Sequence, residues 1–234
     1  MKALDIIILV SYNKIMKKYQ TILFDLDGTL TDPKIGITKS IQHALNGFDI
    51  HAELKELEIF IGPPLRVSFS KNFGISMNDI ENIALPRYRD YYSNKGMFEC
   101  EIYGGVCEML EKLKSEGMTT SLATSKPLFF AKPILQHFGL LKYFDFVSGS
   151  ELDGTRDDKA DVISYALENL KLTPAPNIIM VGDREFDIIG AKKNNLQSIG
   201  VLYGYGDRKE LETAGASIIA KTVSELTNIL TQKD

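Results

Sequence analysis

Apolar residues along the chain follow two alternating patterns. Short apolar runs at 22–24, 118–123 and 178–181 have the length and composition of buried strands. Between 106 and 116 the apolar residues recur every third or fourth position, which predicts an amphipathic helix that ends at Gly117. Further strand patterns alternate with helical ones up to the C-terminus. This alternation predicts an α/β fold with a Rossmann-like, doubly wound parallel sheet.

One long block interrupts the alternation directly after the first strand. From Thr38 to about Lys95 the pattern is helical throughout, and no strand-like run stands out. We expect Thr38 to cap the first helix of this block and Pro86 to kink a later one. The block therefore predicts an all-helical cap domain inserted into an α/β core. The expected domains are the cap at 33–100 and a core formed by 19–32 and 101–234.

The N-terminal residues carry little information on the fold. We expect residues 1–18 to be an extension ahead of the core, with a second methionine at Met16. The longest early apolar run, from Ile6 to Val10, is shorter than a signal-peptide core and far shorter than a membrane span. The sequence therefore favours a cytoplasmic protein without a membrane partner.

Composition and charge narrow the class of partner. The 234 residues carry a formal net charge of −4, which argues against binding to a nucleic-acid polymer. Two cysteines, Cys100 and Cys107, are too few for a disulfide framework or a zinc site, and we expect both to be reduced. A small molecule is the expected partner. Monomer and homodimer both stay open.

Acidic side chains follow the apolar strands at the point where each strand ends. Asp25 and Asp27 come after the first run, and Asp183 follows the run at 178–181. The hydroxyl of Thr124 follows another strand. Because parallel strands present their carboxyl ends at one edge of a sheet, we expect these side chains to meet there. Three carboxylates held together repel, and oxygen ligands without histidine favour Mg²⁺ as the neutralising ion.

Two basic residues are candidates for binding an anion at this edge. Lys159 begins a helix, where its charge opposes the helix dipole, so a nearby anion would explain it. Arg66 follows a Pro-rich loop at the start of another helix and could also reach an anion. A solvent-exposed side chain is the alternative for both residues.

Four motifs in order resemble the haloacid dehalogenase-like hydrolase superfamily. They are DLDGT at 25–29, Thr124 after its strand, Lys159, and GDREFD at 182–187. The resemblance covers residues from about 20 to 230. It implies a phosphoric monoester hydrolase of the phosphatase type, acting on a small phosphorylated metabolite.

The resemblance also implies roles for the matching residues. Asp25 would be the nucleophile that forms an aspartyl-phosphate, and Asp27 would be the general acid and base. Thr124, the backbone N–H of Ser125, and Lys159 would hold the phosphate oxygens. Arg66 is a further candidate substrate-binding residue from the cap, but on account of its place at a helix start and not of the resemblance.

The same resemblance implies a Mg²⁺ site. Asp25, the main-chain carbonyl of Asp27, and Asp183 would be the ligands, and Asp187 would orient the outer shell.

Weaker similarities to known enzymes indicate the substrate preference. The segments IGPPL, ATSKP, LDGTR and LYGYG resemble the phosphoglycolate phosphatase and 5′-nucleotidase branch. Aromatic residues of the cap could stack a nucleobase, whereas its arginines or lysines could pair with the carboxylate of glycolate. Because Asp27 is present, a phosphomutase of the β-phosphoglucomutase type is an alternative to a phosphatase. A catalytically silent binding protein on the same fold is the other alternative.

Overall fold

A computed structural model describes residues 18–232, and its centre is a six-stranded parallel sheet. The strand order in this sheet is β5-β4-β1-β6-β7-β8. The two remaining strands, β2 and β3, form a separate antiparallel pair. The sheet and its flanking helices confirm the predicted α/β class. The strands are β1 (Thr21–Phe24), β2 (Thr31–Asp32), β3 (Glu101–Ile102), β4 (Thr119–Pro127), β5 (Phe146–Ser150), β6 (Ile178–Gly182), β7 (Gln197–Val201) and β8 (Ile218–Ala220).

Helices follow most of the strands and also fill the segment between β2 and β3. The α-helices are α1 (Lys34–Leu45), α2 (Leu65–Phe73), α3 (Met77–Asp79), α4 (Leu85–Asn94), α5 (Val106–Ser115), α6 (Leu128–His137), α7 (Lys159–Asn169), α8 (Glu185–Lys193), α9 (Arg208–Ala214) and α10 (Val223–Leu230). A π-helical segment, Ile80–Ala84, joins α3 to α4, and a 3₁₀ segment, Leu54–Phe60, precedes α2.

Both faces of the sheet are covered, because successive side chains of a strand point to opposite faces. Ile22 and Phe24 of β1 belong to one apolar cluster, which contains residues of α5, α6 and α10. Leu23 belongs to a second cluster on the other face, with residues of α7 and α8. All three residues are fully buried. The central strand therefore lies in the core along its whole length.

A third apolar cluster belongs almost entirely to the segment between β2 and β3, which we call the helical block. Its members include Ile41, Phe60, Phe69 and Tyr92, and it receives Phe130 from α6 of the sheet half. The two-residue ladder between β2 and β3 brings the entry and the exit of the block side by side. The block is thus an inserted helical unit with a core of its own, and the domain limits at 33 and 100 stay a prediction.

One local prediction for the helical block needs correction. The prediction that Thr38 caps the first helix is wrong: α1 begins at Lys34, whose N–H is accepted by Asp32 Oδ1 at 3.0 Å. Thr38 lies inside the helix and donates its hydroxyl hydrogen to the Lys34 carbonyl at 2.7 Å. Near Pro86 the helix contains the π-helical segment, which accommodates a residue that has no N–H to donate.

The predicted N-terminal extension covers residues 1–18, of which 1–17 lie outside the described residues. Among residues 18–232, the structure contains no helix that is both long and apolar enough to cross a membrane.

Candidate active site

The loop after β1 places two carboxylates at the carboxyl edge of the sheet. Phe24, the last residue of β1, lies between Leu122 of β4 and Val181 of β6, so Asp25 leaves the sheet between its two neighbouring strands. Gly28 turns the chain with a φ of 83°. A Cβ at Gly28 would lie 2.1 Å from Asp183 Oδ2, so only glycine permits this approach. The turn therefore packs directly on the acid that follows β6.

Lys159 is buried among the acids at this edge. Its ammonium nitrogen lies 2.8 Å from Asp25 Oδ1 and 2.9 Å from Asp187 Oδ1. It also donates a hydrogen bond to the carbonyl of Ala123 at 3.0 Å. Burial opposes the charge on Lys159, but Asp187 and Asp25 outweigh it and raise the pKa of the lysine above its usual value. The lysine is therefore a fixed positive charge at the centre of the site.

Asp183 is fully buried behind Asp25. Its Oδ1 accepts a long hydrogen bond from the Thr29 hydroxyl at 3.4 Å, and its Oδ2 accepts the N–H of Tyr205 at 2.8 Å. Burial, followed by the charges of Asp187 and Asp25, raises the pKa of Asp183 well above its usual value. An ionised Asp183 therefore requires additional positive charge nearby.

Oxygen atoms of Asp25, Asp183 and Asp187 lie within 4.8 Å of one another, and all three residues are buried. One lysine faces these three carboxylates, which leaves excess negative charge at a buried point. A divalent cation with oxygen ligands fits this arrangement in charge and in ligand type. The resemblance implies the main-chain carbonyl of Asp27 as a further ligand, and this stays a prediction. The third carboxylate of the cluster is that of Asp187, which was expected in the outer shell.

The Asp27 side chain turns away from that cluster. Its Oδ2 lies 2.9 Å from the ammonium nitrogen of Lys126. Its Oδ1 is buried and has no hydrogen-bond partner among the described residues. Burial raises the pKa of Asp27 above its usual value, although Lys126 acts in the opposite direction. In Asp27, the contact with Lys126 holds Oδ2 in place, while Oδ1 has no partner among the described residues. The raised pKa makes this carboxyl easier to protonate than an exposed aspartate.

Lys126 and Tyr92 were not predicted as catalytic or metal-binding residues. Lys126 donates a hydrogen bond to the Tyr92 hydroxyl, and its nitrogen lies 4.7 Å from the centre of that ring. The segment Thr124-Ser125-Lys126 at a strand end was a signal for the lysine. Tyr92 was one of the aromatic cap residues that could stack a nucleobase, but no local signal marks its contact with Lys126.

Thr124 and Ser125 line the same cavity as Asp25 and Asp27. Thr124 is 1% exposed, and its hydroxyl oxygen accepts the N–H of Lys126 at 3.2 Å. The carbonyl of Ser125 accepts a hydrogen bond from the Ser150 hydroxyl at 2.8 Å. These bonds fix the C-terminal part of β4 next to the acids.

Arg66 lines the cavity, but two acids engage its guanidinium. Its Nε lies 2.5 Å from Glu81 Oε1, and one terminal nitrogen lies 3.5 Å from Asp157 Oδ2. Arg89 also reaches across the cavity, and donates to the Leu152 carbonyl at 2.8 Å. Both arginines therefore connect parts of the cavity wall to one another.

The cavity lies between the sheet edge and the helical block. The acids and Lys159 form its polar floor, and much of the remaining wall is apolar or aromatic. The apolar and aromatic lining residues are Ile37, Phe60, Leu65, Leu85, Tyr88, Tyr92, Phe130, Leu152 and Phe186. A ligand in this cavity would place a charged end on the floor and an uncharged, flat or apolar part against the block.

Residues 22–201 match the family described as haloacid dehalogenase-like hydrolase. A 5′-nucleotidase of Pseudomonas aeruginosa is 43% identical to this chain, and the match covers 83% of this chain and 87% of the nucleotidase. The tyrosine-protein kinase PtkA of Mycobacterium tuberculosis is 33% identical over 90% of this chain and 72% of its own length. A crystal structure of a predicted phosphatase from Clostridium acetobutylicum superposes with a TM-score of 0.86 and 49% identity, covering 90% of this chain and 97% of that one.

Proposed function

The chain belongs to the haloacid dehalogenase-like hydrolase family and is a phosphatase, and we propose that it hydrolyses nucleoside 5′-monophosphates through a phosphorylated Asp25. The observation that carries this proposal is the pairing of Asp25, held by Lys159, with Asp27, which keeps one free oxygen, on the floor of a cavity whose wall is partly aromatic.

The proposed reaction has two steps. A carboxylate oxygen of Asp25 forms a bond to phosphorus as the ester P–O bond breaks, and Asp27 gives its proton to the leaving oxygen. A water molecule then attacks the aspartyl-phosphate and passes a proton to Asp27, which releases inorganic phosphate and restores the Asp25 carboxylate. The raised pKa of Asp27 supports its starting as the acid.

Three groups are proposed to hold the transferred phosphate. Lys159 supplies a permanent charge next to Asp25, while the Thr124 hydroxyl and the N–H of Ser125 supply neutral donors from the C-terminal part of β4. All three residues line the cavity that contains Asp25. Their placement on the sheet half supports a binding geometry that stays fixed when the helical block moves.

Mg²⁺ is the proposed cofactor, with Asp25, Asp183 and the main-chain carbonyl of Asp27 as ligands. Asp187 is proposed to act from the outer shell, because its Oδ1 lies against Lys159 and its Oδ2 accepts the N–H of Arg184 at 3.1 Å. When bound, the ion supplies charge neutralisation for the phosphate oxygens.

The cavity wall favours a nucleotide over phosphoglycolate. Recognition of the glycolate carboxylate requires a cation without a partner, whereas Arg66 is engaged by Glu81 and Asp157 and Arg89 donates to a carbonyl. A nucleoside presents a flat, weakly polar surface that fits the aromatic wall. The 5′-nucleotidase from Pseudomonas supports the same substrate class.

The test is phosphate release from adenosine 5′-monophosphate, ribose 5-phosphate, 2-phosphoglycolate, glucose 6-phosphate and pyrophosphate, with Mg²⁺ and with excess EDTA. We expect the highest kcat/KM on the nucleotide, and no release with EDTA or with Asp25→Asn. A preference for 2-phosphoglycolate would contradict the nucleotide proposal. Release that persists in Asp25→Asn would contradict the nucleophile.

The acceptor of the phosphoryl group needs a separate measurement, because the relative from M. tuberculosis is named as a tyrosine kinase. A phosphorylated Asp25 could pass its group to water, to a sugar hydroxyl as in a phosphomutase, or to a protein hydroxyl. Hydrolysis predicts one phosphate released per nucleoside formed. A deficit of phosphate relative to nucleoside would favour transfer to another acceptor.

A further inference from the structure

Lys126 is a buried cation outside the group that is proposed to contact the phosphate. Its side chain is 6% exposed, and β4 carries a register irregularity between Thr124 and Pro127, where the lysine lies. A buried ammonium is stable only with compensating partners. Here the partners come from different parts of the chain: Asp27 follows β1, and Tyr92 belongs to α4 of the helical block.

The contact with Asp27 restrains one oxygen of the proposed acid. Lys126 lies 2.9 Å from Asp27 Oδ2, and Oδ1 is left without a hydrogen bond within residues 18–232. A carboxyl group held at one oxygen cannot rotate freely about its last side-chain bond. The other oxygen therefore has a defined position, which general acid catalysis requires.

The contact with Tyr92 ties that restraint to the helical block. Tyr92 is 2% exposed, stacks on Tyr88 with ring centres 5.3 Å apart, and meets Phe130 edge-on at 5.1 Å. Its ring is therefore rigidly packed, and its hydroxyl accepts a hydrogen bond from Lys126. Displacement of α4 from the sheet edge would remove this acceptor from the lysine.

We propose that Lys126 is a positioning residue for Asp27 and that Tyr92 holds Lys126 in place, so that alignment of the acid depends on the helical block covering the sheet edge. This proposal rests on the proposed function, in which Asp27 protonates the leaving group. The proposal links enclosure of the substrate to proton transfer. Asp27 is aligned only when the helical block covers the sheet edge, and this covering also excludes water from the cavity.

The test compares leaving groups. Departure of p-nitrophenolate needs no proton, whereas departure of an alkoxide does, and kcat/KM covers the steps up to that departure. We expect Lys126→Met to lower kcat/KM for the best alkyl phosphate among adenosine 5′-monophosphate, ribose 5-phosphate and 2-phosphoglycolate by about tenfold more than for p-nitrophenyl phosphate. An equal loss on both substrates would overturn the positioning role. A rise in KM alone, equal for both, would identify Lys126 as a substrate contact and would also overturn it.

Tyr92→Phe removes one oxygen and keeps the packed ring. We expect the same selective loss, smaller in size, and no further loss when Tyr92→Phe is added to Lys126→Met. Additive losses in the double variant would show that Tyr92 acts without Lys126 and would overturn the link. If Lys126→Met does not fold, Tyr92→Phe alone carries the leaving-group prediction.

A matched control pair lies elsewhere on the sheet half. The nitrogen of Lys142 lies 4.9 Å from the ring centre of Tyr143, and Lys142 is exposed. Lys142→Met and Tyr143→Phe should leave kcat/KM unchanged on both kinds of substrate. Failure of the proposed function is distinguishable: wild-type protein would then release no phosphate from any alkyl phosphate, whereas failure of the positioning role leaves wild-type turnover intact.

Discussion

The sheet edge and the helical block face each other across the cavity, but they are held in different ways. The floor residues follow strands whose pairing registers are fixed over several residues, as between β1 and its neighbours β4 and β6. The block joins the sheet half through the two-residue ladder of β2 and β3, through the apolar contact of Tyr92 with Phe130, and through polar contacts made by single side chains. Arg184 is one example: it donates to the Ile61 carbonyl and lies 2.8 Å from Glu210.

This difference separates two tasks. A rigid floor suits the proposed reaction, in which Asp25 and Lys159 must keep their positions through both steps. The helical block is attached by fewer contacts, which suits entry and exit of the substrate. Variants of each half test how far the two halves are independent.

Asp25→Asn should abolish the function of the floor and leave both halves folded. We expect kcat to fall by at least about a thousandfold, because the amide cannot act as the nucleophile. The melting temperature should stay close to that of the wild type, since the change also removes a charge that repels Asp183 and Asp187. Phosphate release and thermal unfolding measure the two effects. Wild-type turnover in this variant would remove Asp25 from the mechanism.

Lys159→Met should destabilise the floor itself. It leaves Asp25 and Asp187 buried without their cation, which costs about 3–5 kcal/mol. For a chain of this size the melting temperature should fall by about 10 °C. Lys193→Met is the control, because its ion pair with Asp158 is exposed and should contribute nothing measurable. A similar shift in the two variants would show that Lys159 is not a central charge of the site.

Mg²⁺ should stabilise the floor in the absence of substrate. At a concentration of about 100 Kd, binding to the native state adds about 2.7 kcal/mol, which raises the melting temperature. Asp183→Asn should lose most of this increase, because one carboxylate of the buried cluster becomes neutral. Isothermal calorimetry with Mg²⁺ on both proteins gives the same comparison without turnover. Equal binding by the variant would exclude Asp183 as a ligand.

Arg66→Ala changes a cavity residue of the helical block and should have the smallest effect on turnover. Since Glu81 and Asp157 already engage the guanidinium, we expect kcat/KM for the nucleotide to change by less than about threefold. Steady-state kinetics at matched Mg²⁺ measures this change. A tenfold rise in KM with unchanged kcat would instead make Arg66 a substrate contact, as the sequence analysis expected.

The floor could be anticipated from the sequence because its signals are local. Asp25 and Asp183 each follow an apolar strand, and parallel pairing brings the carboxyl ends of strands to one edge. The position of Lys159 at the start of a helix, where its charge is unfavourable for the dipole, already pointed to nearby anions. The structure brings these three residues together with Asp187.

Contacts across the cavity could not be anticipated in the same way. Tyr92 meets Lys126 because of how α4 lies over the sheet, and no periodicity in either segment specifies that placement. The predicted start of α1 was wrong for a local reason. Asp32 lies just before Pro33 and accepts the N–H of Lys34, so the first turn forms before the hydroxyl of Thr38 is needed.

The ladder between β2 and β3 also has a consequence for how the chain folds. Because the two ends of the helical block are paired with each other, the block is a closed loop whose ends are attached at adjacent points of the sheet half. The entropy of closing such a loop rises only with the logarithm of its length, by about 0.6 kcal/mol per doubling. Insertions or deletions inside the block would therefore hardly affect the pairing of β1 with β4. The substrate-facing half of the molecule is free to diversify by changes in length, while the catalytic half keeps its geometry.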